Sequence, residues 1–286
     1  MVYVDAIIQG MLLGGLYALF AAGLSLIFGV MRLVNIAHGD FIVLGAFLAF
    51  ITIQATGLHP FASLIIVVPV MAAIGYAIQR GLLNRTLGPN LLPPILVTFG
   101  LAVVIQNSLL TLFSTDTRRL SSGSLETASL QLGPISIGWL PLLTFAVAVV
   151  LIFALEQIFY RTAIGRAFRA TSDDAETARA MGVNTRHVHA LAMALSFAVI
   201  AVAGVFLAVR SNFDPFSGPA RLIYGFEAVI IGGLGSLWGT LAGGVVLGVA
   251  QALGAQISPS MQILSGHIMF FLILAVRPRG LFPRMD

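Results

Sequence analysis

The stretch TAIGRAFRATSDDAETARAMGVNTRHVH, residues 162–189, decides how the chain is arranged. It carries Arg166, Arg169, Asp173, Asp174, Glu176, Arg179 and Arg186, and long apolar runs flank it on both sides. Such a charge density cannot sit in hydrocarbon, so the stretch is predicted to lie outside a bilayer that its flanks cross. It is also patterned. Asp173 followed three residues later by Glu176 reads as a helix N-cap with a carboxylate in the first turn, and Gly182 reads as a left-handed stop. The residues between make roughly two turns, with Ala175, Ala178 and Met181 on one small, mildly apolar face. A helix this short needs something to dock against.

Composition points the same way. Of 286 residues, 58% are hydrophobic and 9% charged, against about 25% charged in soluble domains. The mean hydropathy is +1.01. An all-α, polytopic membrane protein is expected, with one transmembrane domain over residues 1–286 that includes the 162–189 loop. All 15 basic residues are Arg. Without Lys the chain has no phosphate-gripping Walker A loop, so no ATP site of its own is expected and the chain is read as a non-enzyme. The Arg residues are scattered between apolar runs, which argues against nucleic-acid binding. There is no Cys for a disulfide or a thiolate metal site, and no cofactor is expected.

The first apolar run, residues 6–30, follows MVYVD, which has no basic residue; it reads as a retained span with its N-terminus outside and Arg32 inside. Further spans are predicted over 36–54, 61–83, 91–113, 139–160, 188–209, 238–257 and 261–276, each near the ~20 residues that crossing requires or a little shorter. Residues 222–237 form a short piece ending in Gly232, Gly233 and Gly235. If it crosses, as the positive-inside rule prefers, nine spans result and the tail with Arg277, Arg279 and Arg284 is cytoplasmic; if it is re-entrant, eight result and the tail is outside.

Asp40-Phe-Ile-Val-Leu-Gly45 resembles Glu227-Ala-Val-Ile-Ile-Gly232, an acid, four apolar residues and a glycine. On this topology the two copies run in opposite directions, as inverted repeats do in transporter cores. Asp40 and Glu227 are acids near membrane depth and candidates for the path. A structural role also fits both, since a carboxylate in the first turn of a helix complements its dipole. His38 could relay protons with Asp40 or serve as a hydrogen-bonded structural residue. Glu156 is expected to pair with Arg161 or to snorkel. His187 and His189 face two sides of a helix and have no third metal ligand. Gly10 and Gly14 form one small-residue contact, and Gly235, Gly239 and Gly243 a longer ridge. Leu247, about 80° around that helix, is read as a lipid-facing control.

Several of these motifs carry a family resemblance. Glu176-Thr-Ala-Arg-Ala-Met-Gly182 is similar to the E-A-A-x-x-x-G loop of ABC-importer permeases, with Thr177 in place of the first Ala. Asn35-Ile-Ala-His38-Gly39-Asp40, Thr98-Phe-Gly100, Gln106-Asn107, Gly233-Leu-Gly235-Ser236 and Arg277-Pro-Arg-Gly280-Leu together resemble the permeases for branched-chain amino acids, in order and along essentially the whole chain. The length resembles the shorter permease of the pair, and the helix plan resembles the cobalamin-importer type without its first helix. The resemblance implies a bacterial inner-membrane subunit that pairs with a second homologous permease, docks two cytoplasmic ATPases and receives substrate from an external binding protein. It implies a coupling helix over 173–182, with Arg166, Asp173, Asp174, Glu176, Ala178, Met181 and Gly182 serving ATPase coupling. Asn35, His38, Asp40, Thr98, Gln106, Asn107, Glu227, Gly235, Ser236, Gly239 and Gly243 become candidates for the path or its packing. Substrates implied are Leu, Ile, Val or other small neutral amino acids, with urea or short amides as relatives.

Two other classes fit less well. A proton-coupled secondary transporter would use His38, Asp40 and Glu227, but would leave the charged loop without a task. An intramembrane hydrolase on Ser265 and His267 is discounted, because residues two apart lie on different faces of a helix.

Overall fold

The computed structural model describes residues 2–88, 90, 92–132 and 135–282. The expected first residue of the fourth span, residue 91, and Arg284 of the tail lie outside them. Eleven α-helices follow in order: α1 (Val2–Met31), α2 (His38–Thr56), α3 (Leu64–Gly81), α4 (Leu92–Phe113), α5 (Trp139–Arg161), α6 (Ala163–Asp173), α7 (Ala175–Ala180), α8 (Thr185–Arg210), α9 (Gly218–Gly232), α10 (Leu237–Ile257) and α11 (Met261–Val276). Strands β1 (Ser129–Leu132) and β2 (Ile135–Gly138) pair antiparallel between α4 and α5. Seven helices are long and apolar enough to cross a membrane. The 15-residue α9 and 16-residue α11 are shorter, reaching about 22 and 24 Å at 1.5 Å per residue. Together they account for the eight to nine spans expected.

Helix α1 is apolar all round and buried along most of its length, as a central helix should be. It crosses α10 at near backbone contact. A Cβ on Gly10 would lie 2.6 Å from Val249 Cα, and one on Gly14 2.5 Å from Val245 Cα. Only glycine permits that approach, and the close packing it allows replaces the hydrophobic drive that is missing between helices in lipid. On the outside of the bundle, Ile65, Leu96, Phe99, Leu112, Val150 and Phe153 are exposed, the surface that hydrocarbon rather than water would cover.

Two helices begin part-way through the bundle. After α1 the chain turns at Arg32, whose φ is 51°, and runs back without regular structure to start α2 beside Phe20, in the middle of α1. The first turn of α9 packs on the first turn of α2; a Cβ on Gly39 would lie 2.8 Å from Leu222 N. From there the helices diverge. Helix α9 runs alongside α1 in the same sense, with Tyr224 stacked near Tyr17, and Ala228 and Val229 beside Ala21 and Leu24. Helix α2 follows α8, pairing Phe41 with Phe197 and Phe47 with Phe213, and α8 opposes α1, since Ser196 reaches Gly23 and Arg210 reaches Leu12.

The opposed directions match the expected inverted pair, but the register does not. Asp40 is in the first turn of α2, whereas Glu227 is well inside α9 and has no helix-end dipole to complement. The predicted piece 222–237 also shifts. Gly233 and Gly235 have φ of 109° and 79°, so α9 stops at Gly232 and Gly235 lies in the connection, not on a helical ridge. After α11 the tail returns to α9, where Leu281 N–H donates to Ile231 O at 2.8 Å and Phe282 N–H to Gly232 O at 2.9 Å.

Candidate functional site: the loop platform and the polar groups inside the bundle

The 162–189 stretch folds into two helices, not one. Thr162 caps α6 by accepting the Gly165 N–H at 3.0 Å. Gly165, Phe168 and Thr171, three residues apart, turn inward. Ser172 donates to Gly29 O at 2.7 Å, and Arg169 donates to the Phe159 carbonyl with its guanidinium over Tyr160. Helix α6 is thereby fastened across the ends of α1 and α5. Because α6 extends through Asp173, that residue cannot cap the next helix. Asp174 does so instead, accepting the N–H groups of Glu176 and Thr177 at 2.9 and 3.0 Å and the Thr177 hydroxyl at 2.6 Å. The Thr177 hydroxyl, with the backbone donors, holds the Asp174 carboxyl below its usual pKa.

Helix α7 ends as predicted at Gly182, with φ of 88° and the Val183 N–H returning to Ala178 O at 3.0 Å. Its faces are arranged differently. Ala178 is 6% exposed and packed inward, Ala175 is half-buried, and Met181 is 81% exposed. The surface offered outward therefore includes Glu176, Thr177, Arg179, Ala180 and Met181, and Arg166, Asp173 and Asp174 are also exposed. At the same end a cleft of about 870 Å³ opens, lined by Arg32, Glu156, Arg169, Asp173, Trp238 and Arg279. Glu156 accepts the Trp238 indole N–H there, rather than pairing with Arg161.

Inside the bundle, the start of α2 gathers Asn35, His38, Asp40, Thr98 and Gln106. Asn35 accepts the Ala37 N–H at 3.1 Å, and Thr98 of α4 accepts the Ile36 N–H at 3.3 Å. His38 Nε2 donates to Phe20 O at 2.7 Å, while Gln106 of α4 donates to Asp40 at 2.8 Å. His38 and Asp40 thus point to different helices and form no relay. Asn107 is exposed and donates back to Val103 O of its own helix.

The α9–α10 hairpin holds the remaining candidates. Ser236 accepts the Gly239 N–H at 3.1 Å and so caps α10. Gly239 and Gly243 face Gly232 and Ala228 of α9, while Gly244 and Gly248 face α1. The small-residue surface of α10 is therefore two-sided, and it packs within this chain. Leu247 is 0% exposed and does not face lipid.

Residues 6–277 match the profile of a family described as "Branched-chain amino acid transport system / permease component". The chain belongs to that family. Among its relatives, this permease is 29% identical to the high-affinity branched-chain amino acid transport system permease protein BraD of Pseudomonas aeruginosa, covering 99% of this chain and 97% of BraD. It is 29% identical to the LivH permease protein of Salmonella typhimurium, over 99% and 96% of the two chains. The LivM permease protein of Escherichia coli is 25% identical over 94% of this chain but 68% of its own length. The permease therefore has the dimensions of the shorter BraD and LivH type. Among solved structures, PsaBC from Streptococcus pneumoniae in complex with Fab aligns with a TM-score of 0.48 at 15% identity, over 95% of this chain and 91% of that one.

One pairing was not anticipated from the sequence of the permease. Glu227 of α9 bonds His267 Nδ1 of α11. Ser265, two residues before His267, instead has its hydroxyl engaged by Ala250 O and Gln262 O at 2.8 and 2.9 Å. The signal was present: an acid at membrane depth calls for a named partner, and His267 is the only titratable residue in the last apolar run.

Proposed function

We propose that this permease is the translocation subunit of a binding-protein-dependent, ATP-driven importer of branched-chain amino acids. In this reading it works in the inner membrane beside a second, homologous permease, above two cytoplasmic ATPases and below an external binding protein. The N-terminus is outside, and α6, α7 and the tail are cytoplasmic. The substrate class follows from what the relatives BraD and LivH are named for. Energy comes from the partners, because the Lys-free chain has no Walker A loop.

The observation that carries the reading is the α6–α7 platform. A six-residue helix is too short to persist unaided, yet α7 is capped by Asp174 at one end and closed by Gly182 at the other. It turns Ala178 inward and directly follows a helix that is itself tied to α1 and α5. A push on its outer face at Glu176 and Met181 is transmitted to the ends of those two helices. Backbone fixed at both ends and exposed between them is what a docking element requires, and a mere connector would need neither cap.

Two variants test it. Glu176→Arg reverses the charge on the outward face. Gly182→Val forces a β-branched residue into a left-handed conformation, at on the order of 1–2 kcal/mol, where no atom lies within 4 Å of the added Cβ. Both variants should reach the membrane at parental level and lose co-purifying ATPase and L-leucine uptake. Normal ATPase retention with normal uptake in both would remove the platform from the coupling pathway.

A further inference from the structure

Among the described residues an acid meets a basic side chain in two places. One joins Arg119 to Glu126 between α4 and α5; the other joins Glu227 to His267 inside the helical bundle. The second sits among apolar neighbours, since Ala228 and Val229 pack directly on Ala21 and Leu24 of α1. Its two members differ in access. The Glu227 side chain is 7% exposed, whereas that of His267 is 35% exposed, in the seam between α9 and α11. An ionisable group at this depth is costly against lipid, so a seam that exposes one faces water or protein.

The pair is also incomplete. His267 takes Oε1 of Glu227, and Oε2 is buried without a hydrogen-bond partner. A second unmet group lies on α10, the helix before α11. Gln251 of α10 is 1% exposed; its Oε1 accepts the Tyr17 hydroxyl at 2.5 Å, and its Nε2 has no partner. That amide nitrogen faces Gly266, the residue before His267, where an added Cβ would lie 2.8 Å away. The Tyr17 ring packs against Tyr224, one helical turn before Glu227. Helices α1, α9, α10 and α11 therefore bring together one spare carboxylate acceptor and one spare amide donor. Buried polar groups left unmet cost about 1–3 kcal/mol each, and a fold retains them where something else completes them. Asp40, by contrast, takes the Gln106 amide on Oδ1 and has no oxygen among the buried unmet groups of the described residues.

We propose that Glu227 receives the ammonium group of the amino acid inside the membrane, with the Gln251 amide beside it for the carboxylate. The inference rests on the importer reading above and adds the residue that handles the zwitterion on the way through. A single carboxylate shared with a histidine gives a weak, transient hold. That suits a subunit whose substrate is selected before it arrives and must be released on the other side.

The test uses the complete complex, with both permeases, the ATPases and the binding protein, in proteoliposomes containing ATP and supplied with L-leucine. ATP-driven uptake by the parental complex is established first; its absence refutes the importer reading itself, before any variant is made. Glu227→Gln should then lower uptake at least tenfold while ATP hydrolysis by the partner subunits keeps at least half its rate. Glu227→Asp, one methylene shorter with its charge retained, should fall between the two, and His267→Gln should slow uptake less than Glu227→Gln. Parental uptake by Glu227→Gln overturns the proposal, as does an equal loss in Glu227→Gln and His267→Gln, which would make the pair structural. Uptake by the parent that collapses with a protonophore at constant ATP also overturns it, in favour of a proton carrier. If Glu227→Gln fails to assemble, Glu227→Asp decides. Uptake reduced threefold or more at unchanged hydrolysis supports the role, and parental uptake rejects it.

Discussion

At the scale of single residues, two adjacent aspartates divide the work at the α6–α7 junction. Asp173 ends one helix and Asp174 begins the next, with three donors converging on the Asp174 carboxylate. Those donors favour the charged form, so the folded pKa is depressed. The cap's contribution is then fully present above the ordinary carboxylate pKa and is lost only as pH falls through the lowered value. Amide hydrogen exchange across residues 174–183, corrected for its intrinsic pH dependence, should stay protected at pH 5 and rise only below the usual range for aspartate. Asp174→Asn should remove that pH dependence, whereas Asp173→Asn should leave it unchanged. A capping aspartate with glutamate in the first turn was legible as a sequence motif. Which of the two aspartates caps was not, because that depends on α6 reaching Asp173, and α6 forms through tertiary seating of Gly165, Phe168 and Thr171.

Among the elements, the glycines of α10 show what pattern reading resolves and where it stops. Four-residue spacing correctly places Gly239 and Gly243 on one face, but membrane helices tolerate glycine so well that spacing alone does not say where a helix starts. The positive φ at Gly233 and Gly235 does, and it removes Gly235 from the ridge. Because Gly239 faces Gly232 of the same chain, Gly239→Leu should destabilise the isolated permease by at least the 1–3 kcal/mol typical of overpacking. That loss is read as a lower melting temperature in detergent, before any partner is added. Leu247→Ala should also be harmful, by about 2–5 kcal/mol for a large buried side chain; Leu112→Ala, on an exposed face of α4, should leave the melting temperature unchanged. The long spans were readable because their apolar length is set by the bilayer. The start of α2 was readable to within two residues, but its depth in the bundle and the start of α9 were not, since both are fixed by contacts with helices distant in sequence.

For the whole molecule, the ends of the elements sort to two sides. The C-terminal ends of α1 and α5, helix α6, the α9–α10 connection and Arg279 all border the cleft at one end. The β1–β2 hairpin lies at the other, linked through Gln9 to the start of α1. With the platform inside, a reporter fused after Asp286 should be active only in its cytoplasmic form, and one inserted near Ser122 only in its external form. The opposite pair of activities would invert the assignment. The meeting of α2 and α9 at their first turns, Gly39 against Gly218, has a further consequence for biosynthesis. The irregular backbone before each helix is tolerable at that depth only when protein covers it, and each supplies cover for the other. The two glycines lie in opposite halves of the sequence, so this part of the cover over the start of α2 arrives only once the late helix has been synthesised. A ribosome stalled after Arg210 would leave the start of α2 exposed, and such a chain should be a preferred substrate for membrane quality-control proteases.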